Sequence, residues 1–334
     1  MAANPEADSQ KPVHWSKQKE ETSGYWHLKF LLGLFKIFPV VILRVIAFPV
    51  GFFYFLFSAR GRNESGRFLR RVARFADDPA AAKKYLSHFG PLKHIISFSL
   101  ALIEKLQSWG GKFSLSGIYS HDDTSEIVKD LENGKGVFLI ASHLGNMELL
   151  RALANDKLTG LTRIVPVTAI YDINVSENFS RMLKELNPDS VMEIIGANKI
   201  GPDTAVLLEE KIASGGMVTM TGDRTSANSL GKNIMIPFLG DDAPFPSGPF
   251  YMAALLNAPV YFIFALRRKD LSIKPEYDMH IHKINISLED GGTRKERIKY
   301  SNDLARTFAA LLEKHCIEKP FQWYNFYDFW SEGV

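Results

Sequence analysis

The sequence has a single cysteine, Cys316, among its 334 residues. That excludes an internal disulfide framework and any cysteine-based zinc cluster. It also lacks a marked excess of one charge, with 40 Lys and Arg against 37 Asp and Glu. Six arginines gather between residues 60 and 74, but neither a nucleic-acid-binding motif nor a strongly basic remainder accompanies them, so nucleic acid is not an expected partner. There is no internal repeat, Walker A motif, Gly-x-Ser-x-Gly elbow or His-Glu-x-x-His. Gly134-x-Gly136 precedes an apolar run rather than following one, and so is not a dinucleotide fingerprint. A basic start, a short apolar run and a small-residue cleavage site are likewise missing, so no secretory leader is expected. Apolar residues make up 46% and charged residues 23%. This composition rules out wholesale disorder and a polytopic membrane protein. At ~150 residues per domain the length admits two domains, or one α/β domain with additions.

What is abundant is phenylalanine, at 24 residues. Residues 1–22 are polar and aperiodic and read as a disordered tail. Residues 23–59 read as a hydrophobic membrane anchor, centred on FLLGLFKIFPVVILRVIAFPVGFFYFLF from Phe30 to Phe57. About 20 apolar residues suffice to span a bilayer. Pro39, Pro49, Lys36 and Arg44 fit a broken, re-entrant or interfacial helix pair equally well. Arg60, Arg62, Arg67, Arg70, Arg71 and Arg74 follow, with only Glu64 nearby to offset them. Beside an anchor, such a cluster fits a juxtamembrane segment facing anionic lipid. Arg67, Arg70, Arg71 and Arg74 are therefore candidate contacts with the membrane or with an acidic protein partner.

Residues 60–133 form a basic and mostly helical segment, with Gly110 and Gly111 as a stop. From 134 to 334 the pattern alternates strand and helix. Strands are expected at 136–141, 163–170, 190–195, 217–221, 234–238, 259–266 and 278–286. Helices are expected at 147–155, from Pro202 to Gly215, at 248–256 and at 294–317. This order predicts an α/β fold with a mixed, largely parallel sheet covered by helices.

The chemistry gathers where GVFLIA runs into Ser142-His143-Leu144-Gly145-Asn146-Met147-Glu148. Residues five apart on one helix do not face each other. His143 and Glu148 can meet only if His143 lies in the turn entering the helix, with Gly145 and Asn146 supplying turn and cap. Glu148 would then hold one ring nitrogen while the other takes a proton from a hydroxyl, as a general base does. A histidine at the carboxyl end of a buried strand sits where ligands gather in open α/β sheets.

His-Leu-Gly-Asn-Met-Glu resembles the His-x-Gly-Asn-Trp-Glu signature of the lipid A biosynthesis acyltransferases of the lauroyl and myristoyl type. These belong to the wider glycerolipid acyltransferase superfamily with its His-x-x-x-x-Asp/Glu motif. Met147 replaces the usual tryptophan. Gly222-Asp223-Arg224 resembles the family's Asp-Gln block, with Arg224 where glutamine is usual. The stretch from Ile234 through IMIPFLGDDAPFPSGPFYMAALLNAPVYFIFALR, and Gln322-Trp323 near the end, resemble further blocks in order. Coverage is roughly residues 25–330. One departure is Tyr171-Asp172-Ile173, where the family has Tyr-Arg-Pro. Either Arg181 or Arg224 supplies that positive charge, or the acceptor differs from lipid A precursors, and the second reading is preferred.

The resemblance implies acyl transfer from a thioester, of acyl carrier protein or coenzyme A, to a hydroxyl of a lipid or lipid-linked acceptor. It places the chain at the cytoplasmic face of a bacterial inner membrane, with no cofactor beyond the acyl thioester co-substrate. His143 would be the base and Glu148 its orienting partner. Arg224, Arg181, Asn146 and Asp223 are candidate oxyanion or substrate contacts. A thioesterase using the same dyad with water, and a catalytically idle membrane-binding protein, are the alternatives. No acyl-enzyme is required, so Cys316 reads as structural. The aromatic cluster FQWYNFYDFW at 321–330 reads as core packing, with an acyl tunnel or an interfacial anchor as alternatives. His280 and His282 share a strand face, but no carboxylate or third histidine stands at ligand spacing, so no metal is expected.

Overall fold

The computed structural model describes residue 30 and residues 33–35, 37–110, 112–150, 161–171, 192–196, 201–224, 233–286, 288 and 292–330. Five strands run parallel at its centre. They are β2 (Val137–Gly145), β3 (Val167–Tyr171), β4 (Met192–Gly196), β5 (Met217–Thr221) and β8 (Val260–Arg267). With β9 (Tyr277–Lys283) and β1 (Ile118–Ser120) they form a seven-stranded sheet in the order β1-β9-β8-β2-β5-β3-β4. Only the β8–β9 pairing is antiparallel. β6 (Asn233–Phe238) and β7 (Asp241–Pro246) make a separate hairpin, turned at Leu239 and Gly240 with φ of 51° and 86°. Two residues of positive φ match the right-handed twist of the flanking strands.

The helices are α1 (Val40–Phe57), α2 (Ala59–Ala73), α3 (Pro79–Leu86), α4 (Phe89–Trp109), α5 (Ser125–Glu132), α6 (Pro202–Ala213), α7 (Ser247–Leu256) and α8 (Arg294–Glu318). Strands β2 and β8 are apolar on both faces, as central strands covered on two sides require. On one face Phe138, Ile140, Val218, Phe262 and Phe264 meet Phe250 of α7 and Leu304, Phe308 and Leu312 of α8. On the other, Leu139, Val167, Tyr261 and Ile263 meet Ile127 and Leu131 of α5.

The expected α/β architecture with a largely parallel sheet is present, with boundary corrections. The second strand begins at Val167 rather than 163. Pro166, just before it, has no N–H to give, and its carbonyl accepts from Met217 N–H at 2.8 Å. The last strand stops at Lys283. β1 lies in the segment read as helical, so the sheet reaches into residues 60–133. The helix expected at 147–155 is seen to start at Leu149, and its remainder lies outside the described residues.

The apolar N-terminal segment is one helix after Pro39, with Pro49 inside it. Leu43, Ala47 and Gly51, four residues apart, form its buried stripe against Ile96, Leu100 and Ile103 of α4. A Cβ on Gly51 would sit 3.1 Å from the Ile96 backbone, so the two helices touch closely. Arg44, the one charge in this helix, turns inward to Gln107 and the Ile273 carbonyl. The opposite face stays uncovered: Val41, Val45, Val50, Phe52, Phe53 and Phe57 are all exposed. It is the one helix among the described residues long and apolar enough to cross a membrane.

The arginine cluster is less naked than its sequence neighbours implied. Arg67 pairs with Asp328 at 3.0 Å as well as with Glu64. Arg71 pairs with Asp241 at 3.0 Å, lies over the Trp330 ring, and Arg74 reaches the same Asp241. Acids remote in sequence supply the offset. Arg70 is exposed.

Candidate functional site

β2 and β5 are neighbours, and each carries one functional side chain just past its last regular pair. Ala141 pairs with Thr221 in the sheet, and Gly222 N–H donates to the Ala141 carbonyl at 2.9 Å. This sets Asp223 beside His143. Against β8 the register slips: Ala141 faces Ile263, but Gly145 faces Ala265. Four steps on one strand match two on the other, a bulge that re-aims the intervening residues. The Ser142 hydroxyl stabilises it by accepting from Leu144 N–H at 3.1 Å. Gly145 closes it with φ of 75°, and a Cβ there would fall 1.9 Å from the Ala265 carbonyl oxygen. Only glycine fits, because both the backbone conformation and the space forbid a side chain.

The bulge presents His143 to Asp223 twice. Its ring Nδ1 lies 2.9 Å from Asp223 Oδ1, and its backbone N–H donates to Oδ2 at 2.7 Å. Trp323 Nε1–H donates to the same Oδ2 at 3.0 Å. The carboxylate is fully buried, while a fifth of the His143 side chain is exposed. An acceptor-only carboxylate on Nδ1 fixes the proton there and leaves Nε2 with the lone pair. Burial pushes the Asp223 carboxyl up, but His143, Arg224 and the Trp323 N–H outweigh it and hold it below the usual range. Burial lowers His143 to about 4, assisted by the positive charge of Arg224 and opposed by Asp223. The ring is therefore neutral at physiological pH, as a base must be.

The orienting carboxylate is thus Asp223, which corrects the expectation that Glu148 would serve. Glu148 falls in the turn after the bulge, where its backbone N–H donates to Asn146 Oδ1 at 3.2 Å. Its buried carboxylate raises the pKa of Lys105 on α4, against a larger lowering by burial. Lys105, which the sequence did not single out, also acts electrostatically on His143. Asn146 caps as expected, its N–H donating to the Ala265 carbonyl, and its buried Nδ2 has no partner among the described residues. Arg224 donates to Asn325 Oδ1 at 2.9 Å and to the Tyr324 carbonyl at 2.8 Å. Arg181 lies outside the described residues.

The C-terminal aromatic segment builds the floor of this site. Trp323 pairs with Leu144 as an antiparallel bridge, and its carbonyl faces His94 Nε2 at 2.9 Å. His94 Nδ1 in turn faces the Ser65 hydroxyl of α2 at 2.9 Å. Phe68 of the arginine helix packs on Trp323, with ring centroids 5.0 Å apart. A chain of contacts therefore runs from α2 through α4 and Trp323 to Asp223. Phe321, Trp323, Tyr324, Tyr327 and Phe329 are buried, which is the core reading of that cluster. Cys316 is fully buried, and burial pushes its thiol well above the ordinary value, so it is not a nucleophile.

The chain matches no protein-family model and no curated protein.

Proposed function

We propose that this chain is a membrane-associated O-acyltransferase of the glycerolipid acyltransferase-like fold. It moves a fatty acyl group from an acyl thioester, of acyl carrier protein or coenzyme A, to a hydroxyl of a lipid or lipid-linked acceptor. The observation that carries this reading is the His143–Asp223 pair at the carboxyl ends of adjacent parallel strands.

Asp223 holds Nδ1–H, and Nε2 takes the proton of the acceptor hydroxyl as its oxygen attacks the thioester carbonyl. The tetrahedral intermediate places negative charge on the former carbonyl oxygen. Arg224, Lys105 and the Asn146 Nδ2 donor supply positive potential beside the dyad. Collapse breaks the C–S bond, and the imidazolium returns its proton to the departing thiolate sulfur, which regenerates the base. Asp223 stabilises that imidazolium while it lasts. The uncovered apolar face of α1 lies in the cytoplasmic leaflet of a bacterial inner membrane, where the lipid acceptor is found. Arg70, with the paired Arg67, Arg71 and Arg74, faces anionic lipid or the acidic donor protein.

The test uses full-length protein in detergent with acyl-carrier or acyl-coenzyme A thioester and extracted membrane lipids. Thiol release and acylated lipid are followed together, the second by mass spectrometry. Equal amounts of both, abolished by His143→Ala, are expected. Thiol release without acylated lipid would reassign the chain to thioester hydrolysis. An unimpaired His143→Ala would remove the reading altogether.

A further inference from the structure

The fold gathers a second group of histidines away from the dyad. His280 and His282 point from one face of β9, and His315 comes down onto them from the last turn of α8. Their rings lie close together: centroids are 4.7 Å apart for His280–His315, 5.8 Å for His282–His315 and 6.3 Å for His280–His282. One ligand atom from each falls within 4.8 Å of the other two.

Each ring has a carboxylate on its Nδ1 side. His315 Nδ1 is 2.9 Å from Glu318 Oε2. Asp122 Oδ2 stands 3.8 Å from Nδ1 of His280 and 3.9 Å from Nδ1 of His282. That carboxylate is itself held by the Ile281 N–H at 2.8 Å. The Glu318 carboxylate keeps the proton on His315 Nδ1 and turns its Nε2 into the lone pair, the arrangement found behind metal-bound imidazoles, while Asp122 adds negative charge beside the other two rings. The Nε2 atoms of both His282 and His315 are buried and have no partner among the described residues. Leaving two imidazole nitrogens so placed costs desolvation energy that nothing on these elements returns.

We propose that His280, His282 and His315 bind one divalent transition-metal ion, zinc by ligand chemistry, tying the end of α8 to β9. Three neutral imidazoles suit zinc in tetrahedral coordination with one further position. Tetrahedral ligand atoms at ~2.1 Å from the ion lie ~3.4 Å apart, so the three ligand atoms, now within 4.8 Å of one another, close in by about 1 Å on binding. His121, stacked on His280, and Asp122 stand at the exposed side, where a solvent-facing fourth ligand fits. Asp122 and His282 are each about a quarter exposed, so the ion has a route in.

The ion would act on structure. The residue after His315 is Cys316, which lies within electrostatic reach of Asp223.

The experiment strips the full-length protein in detergent with a chelator and titrates it with Zn²⁺ alone, then with Co²⁺. One equivalent is expected, with the intense visible bands of tetrahedral Co²⁺ and a rise in Tm on loading. His282→Gln, the ligand least buried, should weaken binding about 100-fold or more. Glu318→Gln keeps all three ligands and should cost ~10–100-fold. His88→Gln, at an exposed histidine, should change nothing. Binding weaker than about 10 μM would overturn the proposal, as would one-equivalent binding that His282→Gln and His315→Gln together leave intact.

Discussion

Replacing Asp223 by asparagine tests the dyad with almost no change of shape. Asp223 Oδ2 accepts from two N–H groups, the His143 backbone and Trp323 Nε1, while Oδ1 accepts from His143 Nδ1. Asparagine offers one oxygen and one NH2. If the NH2 took the Oδ2 place it would meet two donors, so the amide oxygen stays there and the NH2 turns to Nδ1. His143 must then present a lone pair at Nδ1 and carry its proton on Nε2, where the base is needed. The variant keeps its two buried hydrogen bonds and its fold but holds the wrong tautomer and no charge for the imidazolium. The expected loss in kcat is ~10³–10⁴-fold, or about 4–5 kcal/mol of barrier. Single-turnover thiol release from the acyl thioester reads it, with Tm confirming the fold. Because the two residues act as a unit, His143→Ala with Asp223→Asn should be little worse than His143→Ala alone. An Asp223→Asn protein within about tenfold of the native rate, or losses that multiply independently, would refute the dyad.

Four further outcomes are expected. The acid limb of kcat/KM should fall near pH 4, where His143 titrates, and Arg224→Gln should move it upward because Arg224 opposes protonation. An unshifted limb near 6.5 would count against the site. His94, fully buried between Ser65 and Trp323, is lowered to about 4 by burial. The unfolded chain binds its proton below pH 6.5 and the native chain does not, so stability falls as pH drops from about 6.5 to 4. His94 contributes about 3 kcal/mol of that fall, and His94→Gln should flatten thermal unfolding over this window. Gly145→Ala should cost at least about 3 kcal/mol and abolish turnover, since the added Cβ meets the Ala265 carbonyl. A normal Tm would contradict the strained bulge. Finally, serine at Val45, Phe52 and Phe53 should cut sedimentation with anionic vesicles while leaving Tm unchanged, because those side chains are exposed. Unchanged sedimentation would remove α1 as the anchor.

Local pattern carried a good deal of this protein. GVFLIA and PVYFIFAL are continuous apolar runs, and a strand buried on both faces needs that composition. Pro202 opening a helix is likewise read from neighbours a few residues away. The same locality placed His143 at a strand end and Asn146 in its cap. It misassigned the partner, because the short spacing from His143 to Glu148 is visible in the sequence and the pairing with Asp223, 80 residues on, is not. That pairing exists because β5 lies beside β2, and strand order is decided by how the whole sheet buries its two faces. The third histidine of the α8–β9 cluster was hidden for the same reason. His315 sits 33 positions after His282, and only the packing of α8 on the sheet brings its ring to the strand. The arginines show it once more: Asp241 and Asp328 are far from α2 along the chain, and tertiary contact alone supplies their charge. Sequence determines which segments become strands and helices, since those choices rest on contacts within a few residues. Which functional groups meet is decided only when the core closes, because burying the apolar faces fixes the neighbours of every strand end.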